Sequence, residues 1–491
     1  MAFTRNAVVE MNGAEFRKAG YLVIDKIAGF LDDIRQKRVT KSASSKQLAD
    51  NIGQGPMPED GRSATDIISR ATDILFNHSL LNGHPKFLGY ITSSAAPIGA
   101  LADLLAASVN PNVGAQVLSP VATEIEKQVI KWLGAFIGVP ASFDGILVSG
   151  GNMANFTAFF AAIAQKIPGS KKTGISHAVN KPLLYCSKTT HTWIEKAAAL
   201  CGIGTNSIRW IPADSTNRMN ITILEQTIQE DKKNGLWPIM VIGTAGDVST
   251  GAVDDLKAIA AICKLNDCWF HVDGAYGIPA AVVPELKILF EGMTEADSIA
   301  LDPHKWLYAP LEAGCTLVKN PNHLIQTYSS HPVYYHFTNE GEETTARNFY
   351  EYGFQNSRGF RALKVWMILQ QAGRNGYIEM IKKDRELSIL LFLLADRHPE
   401  LEAISQNLSI TTLRYRPRDY KEEDLNTLNE SLLIELQQGG EVFLSNAIVM
   451  DKYCLRACIV NFRTSEKDIE EIVEIIVRAG RKITESIRSN Q

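Results

Sequence analysis

Seven short apolar runs recur between residues 145 and 318, at 145–149, 183–187, 208–211, 238–243, 268–273, 298–301 and 315–318, mostly with helical patterns between them. Runs of four to six residues are short for helices, and their lack of polar alternation means that each strand is covered on both faces. Alternation of strand and helix over this distance implies an α/β fold. It would be built on a mostly parallel sheet with helices on both faces, and its ligands would sit at the carboxyl ends of the strands. At 491 residues the chain exceeds what one hydrophobic core serves, so a large domain with smaller appendages is expected.

The residues at those strand ends narrow the chemistry. Trp269-Phe270-His271-Val272-Asp273 ends on a carboxylate, and Ser298-Ile299-Ala300-Leu301 leads through Asp302-Pro303-His304 to the amine of Lys305. An imine-forming lysine and an acid partner for a ring nitrogen are what pyridoxal phosphate requires. Desolvation of Lys305 favours the unprotonated amine that attacks an aldehyde, and a carboxylate at Asp273 favours a protonated, electron-accepting pyridine ring. Gly150-Gly151-Asn152 follows the first apolar run and opens a helix. Free backbone N–H groups and the helix dipole converge there, which suits the cofactor phosphate. His191 follows the second run, on the ligand side of the sheet, where an imidazole can stack on a ring and touch a substrate carboxylate.

The flanking segments read differently. Residues 13–38 carry apolar side chains at helical spacing, a face that needs either a second subunit or the chain's own domain to cover it. Residues 40–62 read as loop, 64–81, 97–109 and 121–138 as helices, and 84–93 as loop backbone placed near something. The polar, aromatic-spotted stretch 320–356 is expected to be a lid over the substrate. A helix from residue 361 leads into strands at 411–415 and 455–461 and a last helix at 465–487, a small α+β domain. The expected partition is 1–95 helical and dimerising, 96–372 cofactor-binding, and 373–491 C-terminal. A net charge of −4 argues against nucleic acid as a partner. Seven scattered cysteines with no Cys-x-x-Cys pair support neither a disulfide frame nor a metal site. With no secretory signal and no run of about 18 apolar residues, a cytoplasmic protein that does not enter a membrane is expected.

His271-Val-Asp273-Gly-Ala275-Tyr276 together with Pro303-His304-Lys305-Trp306 resembles the pyridoxal-phosphate-dependent group II amino-acid decarboxylases, the relatives of aromatic-L-amino-acid decarboxylase. The resemblance extends to His84-Pro85, Ala102-Asp103, Ser119-Pro120, Glu124-Ile-Glu126, Phe360-Arg361 and Leu413-Arg414-Tyr415, in the same order along nearly the whole chain. It implies a fold-type I architecture: a seven-stranded cofactor domain, an N-terminal helical segment, a small C-terminal domain and a homodimer with shared active sites. It also implies that Lys305 is the Schiff-base lysine, Asp273 the partner of the pyridine nitrogen and His191 the stacking histidine. Gly151 and Asn152 would hold the phosphate, His304 would lie on the cofactor's other side, and Ala275 and Asp302 would complete the cofactor-binding set. Tyr334 matches the lid tyrosine that protonates the substrate carbon, where relatives with phenylalanine form aldehydes. Tyr90 and Ser93 are expected in the substrate pocket.

This chain departs from the pattern at three places. Asp302 stands where asparagine is frequent near the phosphate, so the acid is expected to turn away or be protonated. Asp247 and Val248 replace two threonines, and Asn112 and Gly114 occupy positions that are bulky and apolar in the aromatic enzymes. The implied reaction is decarboxylation of an L-amino acid, aromatic or related, to its amine and CO2. The alternatives are a carbon–carbon lyase of the sphingosine-phosphate lyase type, an aldehyde-forming oxidative variant, and a non-catalytic dimeric scaffold.

Overall fold

The computed structural model describes residues 7–176, 178–330, 346–418 and 420–489. Its centre is a seven-stranded sheet of β1 (Asp144–Val148), β2 (Pro182–Ser187), β3 (Ile208–Ile211), β4 (Trp237–Thr244), β5 (Trp269–Asp273), β6 (Ser298–Leu301) and β7 (Gly314–Val318). The spatial order is β1-β7-β6-β5-β4-β2-β3. Strands β6, β5, β4, β2 and β3 pair in parallel, whereas β7 runs antiparallel to both β6 and β1. All seven strands expected from the apolar runs are present, each within one or two residues of its expected ends. Nearly every strand residue is buried, which is why these segments lack polar alternation.

Helices α1 (Gly13–Asp33), α2 (Ser45–Ile52), α3 (Ala64–His78), α4 (Pro97–Val109), α5 (Pro120–Ile137) and α6 (Gly151–Lys166) precede or flank the first strands. Helix α2 corrects the expectation of plain loop over 40–62. Its signal is a capping box in which the Ser44 hydroxyl accepts from the Gln47 N–H while the Gln47 side chain accepts from the Ser44 N–H. Only Ala19 of the 21 residues of α1 is buried. The helix rests on α3 through stacked rings of Phe30 and Phe76, 4.4 Å apart, and leaves Phe16 and Tyr21 exposed.

Beyond β7 a short helix, Asn322–Tyr328, occupies part of the stretch expected to be an unstructured lid, and Tyr334 lies outside the described residues. The long Arg361–Arg397 helix breaks at Gly373, whose φ of 62° falls in the left-handed region that favours glycine. It leads to an antiparallel sheet ordered β10-β11-β9-β8, made of β8 (Leu401–Asn407), β9 (Ile410–Tyr415), β10 (Ser445–Val449) and β11 (Lys452–Cys458). Helices Leu425–Gly439 and Glu466–Ser489 share a second hydrophobic core with this sheet. Strands β8 and β10 were not expected. Both alternate in exposure or stay half-buried, so neither reads as an apolar run.

Candidate active site

Parallel register sets Asp273 at the end of β5 beside Ala300 of β6, so the two strand tips are neighbours. Asp273 is buried and held by two donors: the Trp193 indole N–H reaches Oδ2 at 2.7 Å and the Ala275 N–H reaches Oδ1 at 3.2 Å. An ionised carboxylate has about four lone-pair sites, so two donors orient it and leave acceptor capacity over. His271, two residues back and hence on the same face, is fully buried. One ring nitrogen lies 2.7 Å from Asn155 Oδ1 and the other 2.9 Å from Ser298 Oγ, while the Trp193 ring packs edge-on against it. Burial lowers its pKa to about 4, so it is a neutral strut behind Asp273.

The turn after β6 carries Asp302, His304 and Lys305. Lys305 Nζ lies 3.1 Å from Asp302 Oδ2, and His304 Nε2 lies 3.7 Å from the same oxygen. Asp302 does not turn away: it is 1% exposed, and neither carboxylate oxygen has a hydrogen-bond partner, so the ion pair is its main compensation. The His304 ring is fixed by the Ala313 N–H, which donates to Nδ1 at 3.1 Å. Desolvation pulls its pKa down, opposed by Asp302 and reinforced by Lys305. Ser93 is not brought to this cleft. It is buried, and its hydroxyl donates to the His304 carbonyl at 3.0 Å.

Helix α6 faces the same space with its amino end. Gly150, at φ 152°, offers no side-chain cap, so first-turn N–H groups stay open to an anion. The cradle is tight: a Cβ on Gly151 would lie 2.6 Å from Asp302 Oδ2, and one on Gly150 would lie 3.1 Å from His304 Cε1. Gly151, Asn152, His191, Asp273, Ala275, Asp302, His304 and Lys305 all line one cleft of about 560 Å³, with Tyr90 among the lining residues. Tyr90 is exposed and held at φ 50°, with its N–H donating to Ser445 Oγ at 2.6 Å. His191 accepts from the Trp193 N–H at Nδ1, 3.3 Å away, which leaves its proton on Nε2. Desolvation by burial lowers its pKa, with Asp273 opposing and Lys305 adding to the effect.

Three further observations were not foreseen. Asp247 is buried in its own turn, where it accepts from the N–H groups of Ser249, Thr250 and Ala252 and from the Thr250 hydroxyl. Asn112 is likewise committed to backbone, accepting from Gly114 and Arg358, and neither it nor Gly114 lines the cleft. Arg456, from β11, does line it: only 3% exposed, it donates from Nη1 to the Val248 carbonyl at 2.5 Å and leaves Nε without a partner. A lone arginine inside the run Cys454-Leu455-Arg456-Ala457-Cys458 was the available signal. A cleft with an anion cradle, an amine and an oriented carboxylate at neighbouring strand tips fits pyridoxal phosphate in the chemistry of each donor.

Residues 50–415 match the family model of the pyridoxal-dependent decarboxylase conserved domain. The chain is 30% identical over 467 residues to the aromatic-L-amino-acid decarboxylase of Bacillus atrophaeus, covering 95% of each chain. It is 28% identical over 487 residues to a phenylacetaldehyde synthase of a Rosa hybrid cultivar, covering 94% of this chain and 93% of that one. The crystal structure of Oryza sativa TDC with PLP and tryptamine superposes with a TM-score of 0.91 at 23% identity, covering 97% of this chain and 100% of that one.

Proposed function

Because the chain belongs to the pyridoxal-dependent decarboxylase family, a family of carboxy-lyases that use pyridoxal 5'-phosphate, we propose that it converts a free L-amino acid, aromatic or related, to its amine and CO2. The observation that carries this reading is the convergence of Lys305, Asp273, His191 and the amino end of α6 on one cleft. When bound, the cofactor supplies a pyridine ring that accepts the electron pair left on the substrate carbon as CO2 departs. Lys305 would hold the cofactor through Nζ, and Asp273, oriented by Trp193 and the Ala275 N–H, would pair with the ring nitrogen and favour its protonated form. The backbone at Gly151 and Asn152 would hold the phosphate, and His191 and His304, which line the same cleft, would meet the cofactor as neutral rings because burial disfavours their charged forms. The Arg456 guanidinium draws an amino-acid carboxylate into the cleft, since a buried cation with a free N–H gains most from a charged acceptor. Tyr334 returns a proton to the substrate carbon, the role that its match to the family motif carries.

Exposed Phe16, Tyr21, Leu104, Leu105, Val109 and Val121, on α1, α4 and the start of α5, support a homodimer that closes the active sites. Among the described residues no helix is long and apolar enough to cross a membrane. The deciding experiment replaces Lys305 by Ala and measures CO2 and amine release from a panel of L-amino acids, alongside the visible absorption of the bound cofactor. Loss of both is expected, and turnover that survives the substitution refutes the reading.

A further inference from the structure

The three residues after Lys305 are all fastened to one helix. Trp306 is fully buried and its indole N–H donates to Asp384 Oδ2 at 2.8 Å; the Tyr308 hydroxyl donates to the same oxygen in a short hydrogen bond. Between them the Leu307 carbonyl accepts from the Tyr377 hydroxyl at 2.8 Å. Asp384 and Tyr377 both belong to the Arg361–Arg397 helix, beyond its break at Gly373. Tyr308 sits at φ 58°, a backbone setting that a bulky residue adopts only where surrounding contacts hold it. The Trp306 ring also stacks on Tyr276 at 5.2 Å, three residues after Asp273. One carboxylate thus gathers both aromatic donors that follow Lys305 in the turn from which it reaches Asp302.

Resting on the reading of Lys305 given above, we propose that Asp384 is a positioning residue for Lys305: by taking the Trp306 N–H and the Tyr308 hydroxyl together, it fixes the turn that sets the Lys305 amine against Asp302. A hydrophobic residue would fill this space without the desolvation cost of a buried acid, so packing alone does not call for Asp384. Two donors converging on one acceptor define an angle as well as a distance, and that angle orients the turn. Among the described residues, Tyr308 and Cys458 are the titratable groups that feel the Asp384 charge, and Tyr377 in turn acts on Tyr308. Burial pushes the Asp384 carboxyl up to about 7, so its charge, and with it the grip on the two donors, changes near neutral pH. A turn that shifts moves Nζ relative to Asp302 and alters the field at the lysine-bound cofactor. Misplacement of a reacting group by about 1 Å costs on the order of a hundredfold in rate.

The test uses the holoenzyme and two variants, Asp384→Asn and Tyr308→Phe. The visible absorption of the lysine-bound cofactor is titrated against pH, kcat and KM are measured, and borohydride reduction followed by peptide mass analysis reports attachment at Lys305. Attachment is expected to persist in both variants, with the midpoint of the absorption titration moved by about half a pH unit or more, kcat reduced by about tenfold or more, and KM little changed. A wild-type protein without the absorption band, or without a reduced adduct on Lys305, refutes the reading of the lysine itself. A wild-type band whose titration and kcat are the same in both variants overturns the role of Asp384 alone. If Asp384→Asn does not fold, Tyr308→Phe decides by the same criteria, because it removes one donor and keeps the ring.

Discussion

The tightest contact in the cleft supplies the sharpest prediction, Gly151→Ala. The backbone at Gly151 is already helical, and alanine is the best helix former, so the substitution brings no conformational penalty. Its Cβ would instead lie 2.6 Å from Asp302 Oδ2 and 3.3 Å from Ala275 Cβ. The first distance is roughly 1 Å inside a comfortable separation of about 3.5 Å. Relief requires the Asp302 carboxylate to swing toward Lys305 or the first turn of α6 to retreat. Without cofactor either adjustment is open, whereas a phosphate on that turn forbids both, so most of the overpacking cost of about 1–3 kcal/mol is felt on binding. At 1.4 kcal/mol per tenfold, cofactor affinity falls by about 10- to 100-fold. Titration of apoprotein with pyridoxal phosphate, read by the visible band, measures this, while circular dichroism of the apoprotein should be unchanged. Asp302→Ala in the Gly151→Ala background removes the clashing oxygen, so the pair should show a coupling of about 1 kcal/mol or more toward recovery. Wild-type affinity in Gly151→Ala, or strict additivity in the double variant, refutes the geometry.

Three other outcomes follow from the proposed roles and from burial. Replacing Tyr334 by Phe should, under air, turn product from amine toward aldehyde and ammonia, with dissolved dioxygen as the oxidant reduced to peroxide; unchanged product ratios by chromatography remove Tyr334 from the protonation step. Arg456→Met should raise KM by about tenfold or more with kcat less affected, the loss of one charge-assisted hydrogen bond of about 1.5–3 kcal/mol, and an unchanged KM speaks against carboxylate capture there. His271, at about 4 in the fold against 6.5 unfolded, contributes roughly 3 kcal/mol that is fully present above pH 6.5 and is lost as pH falls through 4. The unfolded chain binds the proton first, so stability rises with pH across that window. Denaturant unfolding of His271→Gln should show a flatter acid limb, and an identical slope would mean that His271 is not buried neutral.

The large sheet was legible because nearly all its strands are buried on both faces, so pattern and burial agree from Gly145 to Val318 except at the half-buried centre of β3. Asp273 and Lys305 were legible for a related reason: each is a polar residue at or just beyond an apolar strand end, where a side chain must either cap a turn or face a ligand. Strands β8 and β10 were not, because a half-exposed edge strand has the composition of a loop. Trp193 was visible only as an aromatic after His191. That its indole N–H orients Asp273 depends on the Trp193 side chain reaching His271 and Asp273 of β5, which sequence spacing does not encode. Ser93 was misplaced because residues 84–93 lack any period, leaving nothing to say which side chain turns inward. Arg456 was hidden by distance, since its strand belongs to the second sheet while its guanidinium lies against the first.

Unpartnered polar atoms occur away from the cleft, on Ser94, Thr123 and His323, yet they also distinguish Asp302 and Arg456 from the deeply buried charged groups Glu126, Arg358, Asp254 and Asp247. The buried ions Glu126 and Arg358 satisfy one another, with Arg358 also donating to the carbonyls of Val113 and Leu147 and Glu126 accepting from the Leu147 N–H. Asp254, equally buried, accepts from the N–H groups of Met219 and Thr244, and Asp247 closes its own turn. These groups need no ligand, and a ligand would have to break existing bonds to reach them. Asp302 and Arg456 are buried as deeply, yet both oxygens of one and the Nε of the other lack hydrogen-bond partners. Leaving a buried charged group short of partners costs several kcal/mol, a strain tolerated where a bound molecule completes the set. Both line the cleft that Lys305 and Asp273 share. A carboxylate brought into the cleft would complete Arg456 as Glu126 completes Arg358, whereas Asp302 rests on the Lys305 amine 3.1 Å away.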